Sequence, residues 1–151
     1  MKESNMQYVF TKDWFDQNSR QNWDRIIPII NPKKILEIGS FEGAAACYLI
    51  DKLGKNNFLE VHCIDTWEGS VEHEGMKELP QLYNIFLDNM KPVEEYYFPL
   101  KISSLDACKK FKDNSLDFVF LDASHEYEDI KKDIKAWLPK IKSGGILAGH
   151  D

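Results

Sequence analysis

Cysteine is scarce in this chain: Cys47, Cys63 and Cys108 are the only three among 151 residues. They fall in no CxxC or comparable spacing, which leaves no thiolate metal site or redox pair to read. Their odd number, without a recognisable signal peptide, leads to the expectation of reduced thiols in a cytoplasmic protein. Long apolar runs are also missing, and none approaches the roughly 20 residues that a membrane-spanning helix needs. There is no internal repeat and no low-complexity tract. Positive charge is in deficit: 19 Lys and Arg against 25 Asp and Glu give a formal charge of −6. That balance argues against a nucleic-acid surface or a polybasic membrane contact, and the expected partner is a small molecule. What remains is 43% hydrophobic, ample for one core in one domain of this length.

A further absence is more specific. The stretch Ile35-Leu-Glu-Ile-Gly-Ser-Phe-Glu-Gly-Ala-Ala-Ala-Cys-Tyr-Leu49 reads as apolar strand, glycine turn and helix, an order that forms a ligand crevice beyond a strand's carboxyl end. A dinucleotide fingerprint would read G-x-G-x-x-G, its second glycine clearing room for a pyrophosphate. Here that position is Phe41. Gly39 and Gly43 form a G-x-x-x-G turn beside Glu37, so the crevice gains a carboxylate and loses phosphate clearance. A cationic, phosphate-free adenosine ligand suits it better than a dinucleotide. The plainer alternative is that the glycines serve only the turn.

Along the chain, aromatic and aliphatic residues from Asp13 to Ile30 recur at helical intervals interrupted by Pro28, predicting one or two helices. Trp14 and Trp23 are expected in the core or in a lid. Strands are expected at Lys33–Ile38, Phe58–Ile64, Tyr96–Ile102, Leu116–Leu121 and Ile146–Ala148, with Pro99 confining the third to an edge or bulge. Helices are expected at Ala44–Leu53, Leu79–Met90, Leu105–Phe111 and Glu126–Ile141, and Ser143-Gly144-Gly145 reads as a turn. In the last helix, Trp137 and Leu138 are expected to pack inward behind a solvated lysine face. Alternating strands and helices predict an α/β fold, a Rossmann-like three-layer αβα sandwich with a mostly parallel sheet. The expected division is an N-terminal helical cap, 1–31, and a core, 32–151.

Acidic residues at strand ends carry the chemistry. Asp65 closes the second strand a little over twenty residues beyond the glycine turn, where a carboxylate can bridge ribose hydroxyls. In the fourth strand, Asp117 and Asp122 are five residues and therefore roughly 16 Å apart, so Asp122 alone is at the ligand end. His125 follows at the start of the next helix, and Asp151 follows the fifth strand. Neighbouring parallel strands end about 5 Å apart, bringing Asp122, His125 and Asp151 within reach of one another. Two carboxylates and an imidazole suit a hard divalent cation with a base beside it. His150 is expected to be a supporting residue, because strand alternation turns it away from the direction of Asp151.

Taken together these residues resemble a known family. Glu37-Ile-Gly-Ser-Phe-Glu-Gly43 resembles motif I of class I S-adenosylmethionine (SAM) dependent methyltransferases. Cys63-Ile-Asp-Thr-Trp-Glu-Gly-Ser70 is similar to a subset that continues with a Glu-His pair, here Glu72-His73. Leu121-Asp-Ala-Ser-His-Glu-Tyr127, with Gly145-Ile-Leu-Ala-Gly-His-Asp151, resembles the metal-dependent O-methyltransferase branch, including macrocin-type sugar O-methyltransferases and, more distantly, catechol O-methyltransferases. The resemblance implies SAM binding by Glu37, Gly39, Ser40, Gly43, Asp65, Thr66, Trp67, Ser104 and Asp122. It also implies Mg2+ or another divalent cation on Asp122 and Asp151, and His125 as general base. Where the family carries a glycine before the adenine contact, this chain has Ile102.

The family fold normally adds a helix and two antiparallel strands beyond residue 151, so the scaffold is expected to be truncated after its fifth strand. That leaves an edge which another copy of the chain is one means of covering. The leading expectation is transfer of a methyl group to a hydroxyl of a small molecule, a sugar among the candidates. The alternatives are a non-catalytic SAM-binding or assembly module and, with Phe41 against it, an NAD-linked dehydrogenase.

Overall fold

A computed structural model describes residues 8–54, 58–69 and 73–150. Helices α1 (Trp14–Asn18) and α2 (Arg20–Ile30) precede strand β1 (Lys34–Ile38) and helix α3 (Ala44–Leu53). Then come β2 (Glu60–Asp65), α4 (Leu82–Met90), β3 (Tyr97–Lys101), α5 (Ser104–Cys108), β4 (Leu116–Leu121), α6 (Tyr127–Trp137) and β5 (Ile141–Gly149). The five strands form one sheet in the order β3-β2-β1-β4-β5, and every pairing is parallel.

The strands are apolar on both faces, as a parallel sheet covered on both sides requires. On one face Ile35, Val61, Cys63, Phe118 and Phe120 pack with Trp23 and Ile27 of α2, Ala46 and Leu49 of α3, and Phe86 and Met90 of α4. On the other, Leu36, Ile38, Ile64, Val119 and Leu121 pack with Ala107 and Cys108 of α5 and Trp137 of α6. This is the αβα sandwich that the alternation of elements predicts. Cys47, Cys63 and Cys108 are buried free thiols.

Several local expectations are corrected. Pro28 sits inside α2 rather than ending it, and the break between helices is at Ser19; a late proline costs the helix one hydrogen bond, which packing of Trp23 and Ile27 outweighs. The last helix stops at Trp137, and β5 starts at Ile141, running through Ser143, Gly144 and Gly145 with a register shift opposite Leu116 and Phe118. Gly144 takes φ +82° there, so the glycines make an irregularity within a strand instead of a turn before one. Leu138, expected inside, is 57% exposed, because the chain leaves α6 through Leu138–Lys140 in a tighter 3-10 turn. Phe58 is likewise outside its expected strand and 74% exposed. Pro99, by contrast, occupies the predicted edge strand, opposite Cys63.

Candidate functional site

β1 and β4 are neighbours at the centre of the sheet, and the crevice opens beyond their carboxyl ends. Gly39 leaves β1 at φ +89°, its N–H donating to the carbonyl of Ile64 at 2.8 Å. A Cβ at Gly39 would lie 2.3 Å from the carbonyl oxygen of Asp122, so only glycine allows the turn to press against the end of β4. Phe41, where a dinucleotide fingerprint carries glycine, is itself in the left-handed region at φ 49°. Its strain is held at both ends: its N–H donates to Asp65 Oδ2 at 3.0 Å, and its carbonyl accepts from Trp67 Nε1 at 2.9 Å. Asp65 Oδ1 in turn accepts the N–H of Trp67 at 2.8 Å.

The crevice is a cavity of about 380 Å3. Glu37, Gly39, Ser40, Asp65, Thr66, Ser104, Asp122 and His125 all line it, together with Ile102. Gly43 and Trp67 stand behind the wall. Gly43 opens α3 at φ +89° with Phe86 and Met90 against it; Trp67 is buried between Tyr83 and Phe86. Ser104 is at the wall with its hydroxyl already engaged, donating to Asp133 at 2.5 Å and accepting from Trp137 Nε1 at 2.8 Å. Asp151 and Glu72 lie outside the described residues.

Glu37 is the electrostatic centre of the crevice. It is 3% exposed, and its Oε1, like Ser40 Oγ, is buried without a hydrogen-bond partner. Burial, with Asp122 and Asp65 adding repulsion, pushes its carboxyl up to about 8. Burial also raises the carboxyls of Asp65 and Asp122, partly offset at Asp65 by backbone N–H donors and at Asp122 by two imidazoles. Three carboxylates converging on one partly dry cavity favour a cationic ligand.

At the rim, Asp122 Oδ1 is 3.4 Å from both His125 Nε2 and His150 Nδ1. His150 is the residue that sequence reasoning missed. Its N–H continues the β5 ladder by donating to the Leu121 carbonyl at 3.3 Å, just as Asp122 continues β4 by donating to Ile38 at 2.8 Å. The two side chains therefore meet beyond adjacent strand ends; alternation relative to Asp151 carried no information about Asp122. Trp14, expected in the core or in a lid, lines the cavity with Phe41 and His73, which were not foreseen there as lining: His73 stacks on both Trp14 and Phe41, and Trp14 is tilted against Phe41, with ring centroids 5.1–5.8 Å apart. Trp14 is 43% exposed there, whereas Trp23 is core. The N-terminal segment Val9–Thr11 is lashed down by Asn89 and by the buried Glu42, which accepts both the N–H and the hydroxyl of Thr11.

A glycine turn between β1 and α3, an acid closing β2 and an acid closing β4 on this sheet order define a class I, SAM-dependent type of methyltransferase domain. A family model described as "Methyltransferase domain" matches residues 36–151, and the chain belongs to that family. It is similar to the uncharacterized protein y4gI of Sinorhizobium fredii, 25% identical over 127 residues, 83% of this chain and 14% of that protein. Among solved structures, it resembles a Staphylococcus aureus protein described provisionally as a caffeoyl-CoA O-methyltransferase, with a TM-score of 0.64 and 19% identity over 89% of this chain and 60% of that one. It also resembles the O-methyltransferase TomG of Streptomyces achromogenes, solved with SAM, with a TM-score of 0.62 and 15% identity over 81% and 50% of the two chains. The chain thus spans less than two thirds of the length of each of these proteins. Among the described residues no helix is long and apolar enough to cross a membrane.

Proposed function

We propose that this chain is the SAM-binding part of an O-methyltransferase that methylates a hydroxyl of a small molecule, a sugar among the candidates, with a divalent cation assisting. The observation that carries the reading is Glu37: a buried carboxylate with one oxygen unpartnered at the wall of the crevice. Leaving such an acceptor unpaired costs about 1–3 kcal/mol, and a ligand bearing ammonium and sulfonium charge recovers it. Asp65 keeps a lone pair on each oxygen for ribose hydroxyls after accepting from Phe41 and Trp67. Thr66 and Ser40 border the same space, and the free N–H groups opening α3 complete it.

SAM, when bound, supplies an electrophilic methyl group, and a divalent cation at the rim lowers the pKa of the acceptor hydroxyl. The chain's residues do the rest. Asp122 orients His125, His125 is placed to take the hydroxyl proton, and the Trp14, Phe41 and His73 rings wall the cavity mouth against water. Positioning of the two reactants supplies much of the rate. The proposed setting is the cytoplasm, with no nucleic-acid or membrane partner, and a second copy covering the β5 edge is part of the proposal. The test is transfer of label from methyl-labelled SAM to a panel of sugars and phenols, with and without a chelator. Transfer that the chelator abolishes supports the reading; SAM binding without transfer to any hydroxyl favours a non-catalytic SAM-binding module.

A further inference from the structure

Sequence reasoning expects a magnesium-type site on the carboxylates of Asp122 and Asp151; among the described residues, the donors that the fold brings together are Asp122 Oδ1, His125 Nε2 and His150 Nδ1, all within 4.8 Å of one another. Both imidazole nitrogens are 3.4 Å from the carboxylate oxygen. That separation is long for an N–H···O hydrogen bond, which settles at about 2.9 Å. It matches two ligands about 2.1 Å from one ion at a tetrahedral angle, which lie about 3.4 Å apart.

Donor chemistry points the same way. Magnesium takes oxygen ligands and parts with water reluctantly, whereas imidazole selects borderline first-row ions. We infer that Asp122, His125 and His150 form a two-nitrogen, one-oxygen site for a borderline first-row divalent cation such as Zn2+ or Co2+, in preference to Mg2+, with its remaining position facing the cavity. The inference rests on the proposed cation-assisted methyl transfer and revises one part of it. An imidazole nitrogen has a single lone pair, so His125 Nε2 bound to an ion is a ligand and not a proton acceptor. The three ligands come from two elements' ends: Asp122 and His125 from the segment between β4 and α6, and His150 from the residue after β5. The order of those strands in the sheet brings His150 to the Asp122 and His125 pair, which is three residues apart in sequence.

The test is titration of the full 151-residue chain with Co2+, Zn2+ and Mg2+ by calorimetry, with Co2+ also followed by its visible d–d absorption, and with SAM titrated separately. The expected result is one tightly bound Co2+ or Zn2+ per chain, tetrahedral-type Co2+ bands, and weak Mg2+ binding. His125→Ala and His150→Ala each weaken Zn2+ by at least about 10-fold and remove the Co2+ bands, while SAM binding persists. Mg2+ bound as tightly as Zn2+, or Co2+ bands that survive both substitutions, would overturn the inference and leave His125 as the base. Loss of SAM binding from the unaltered chain, with Zn2+ still bound through both histidines, upholds this site and overturns the methyltransferase reading.

Discussion

His150 Nδ1 stands 3.4 Å from Asp122 Oδ1, although the two residues are 28 positions apart and on different strand ends. The contact exists because β5 pairs with β4 in parallel and both ladders run one residue past the strands. Among the described residues it makes the rim of the crevice a mixed imidazole and carboxylate group.

The close approach of Gly39 to β4 predicts a large stability loss on substitution. Gly39→Ala places a Cβ 2.3 Å from the Asp122 carbonyl oxygen at a φ of +89°, so urea denaturation is expected to show a loss of about 3 kcal/mol or more. Gly75→Ala, at φ +79° with nothing within 4 Å, is expected to cost about 1 kcal/mol from backbone strain alone. Equal losses at the two sites would show that the packing of the turn against β4 is not what makes Gly39 necessary.

Glu37 links cofactor binding to protons. Its carboxyl is raised to about 8 in the free chain, and a bound cationic ligand stabilises the ionised form, so SAM binding near neutrality is expected to release a proton. Affinity then rises with pH until about 8 and levels off above it. Calorimetry in buffers of different ionisation enthalpy reads that proton. Glu37→Gln is expected to abolish the release and weaken SAM by at least about 10-fold, the loss of one charged hydrogen bond.

The same shift sets a stability trend. The folded carboxyl holds its proton more tightly than the unfolded one, whose ordinary value is 4.5. Its contribution is therefore fully present below about 4.5 and is lost as pH rises towards 8. Thermal melts of the unaltered chain compared with Glu37→Gln across that window should diverge, the substituted chain losing less stability with rising pH. Parallel curves would place the raised carboxyl elsewhere.

Trp67 acts on the crevice through Phe41. Trp67→Phe keeps an aromatic ring against Tyr83 and Phe86 but removes the Nε1 donor to the Phe41 carbonyl. A stability loss of about 1 kcal/mol is expected, with a weaker SAM affinity because the left-handed turn at Phe41 is released. Unchanged affinity would mean that the turn keeps its shape without this bond.

His125→Ala is expected to lower methyl transfer by about 100-fold or more while leaving SAM affinity within twofold or so of the unaltered chain, as a single-turnover assay alongside binding would read. As ligand or as proton acceptor, its place at the rim makes it matter to the acceptor and not to the cofactor.

The sandwich was legible because its signals are local. Ile35–Ile38 and Leu116–Leu121 are short apolar runs bounded by polar residues, and Gly39 and Asp65 sit at fixed offsets from strand ends. The candidate crevice was legible for the same reason: Glu37 is the last residue but one of β1, Asp65 closes β2 and Asp122 follows β4. Features set by pairing partners were not. Gly144 and Gly145 carry turn chemistry, yet pairing with β4 draws them into β5. His150 gains its meaning only from the strand beside it, and the ring contacts of Trp14 with Phe41 and His73 join segments 27 and 59 residues away from Trp14 in sequence.

The crevice at Glu37, Asp65 and Asp122 is proposed to take a cationic, phosphate-free adenosine cofactor. Parallel calorimetric titrations of the chain with SAM and with NAD measure this most directly. Saturable SAM binding that Asp65→Asn weakens by at least about 10-fold is expected, with no binding of NAD; NAD binding equal to or tighter than SAM, or no binding of SAM, would rule out that cofactor for the crevice.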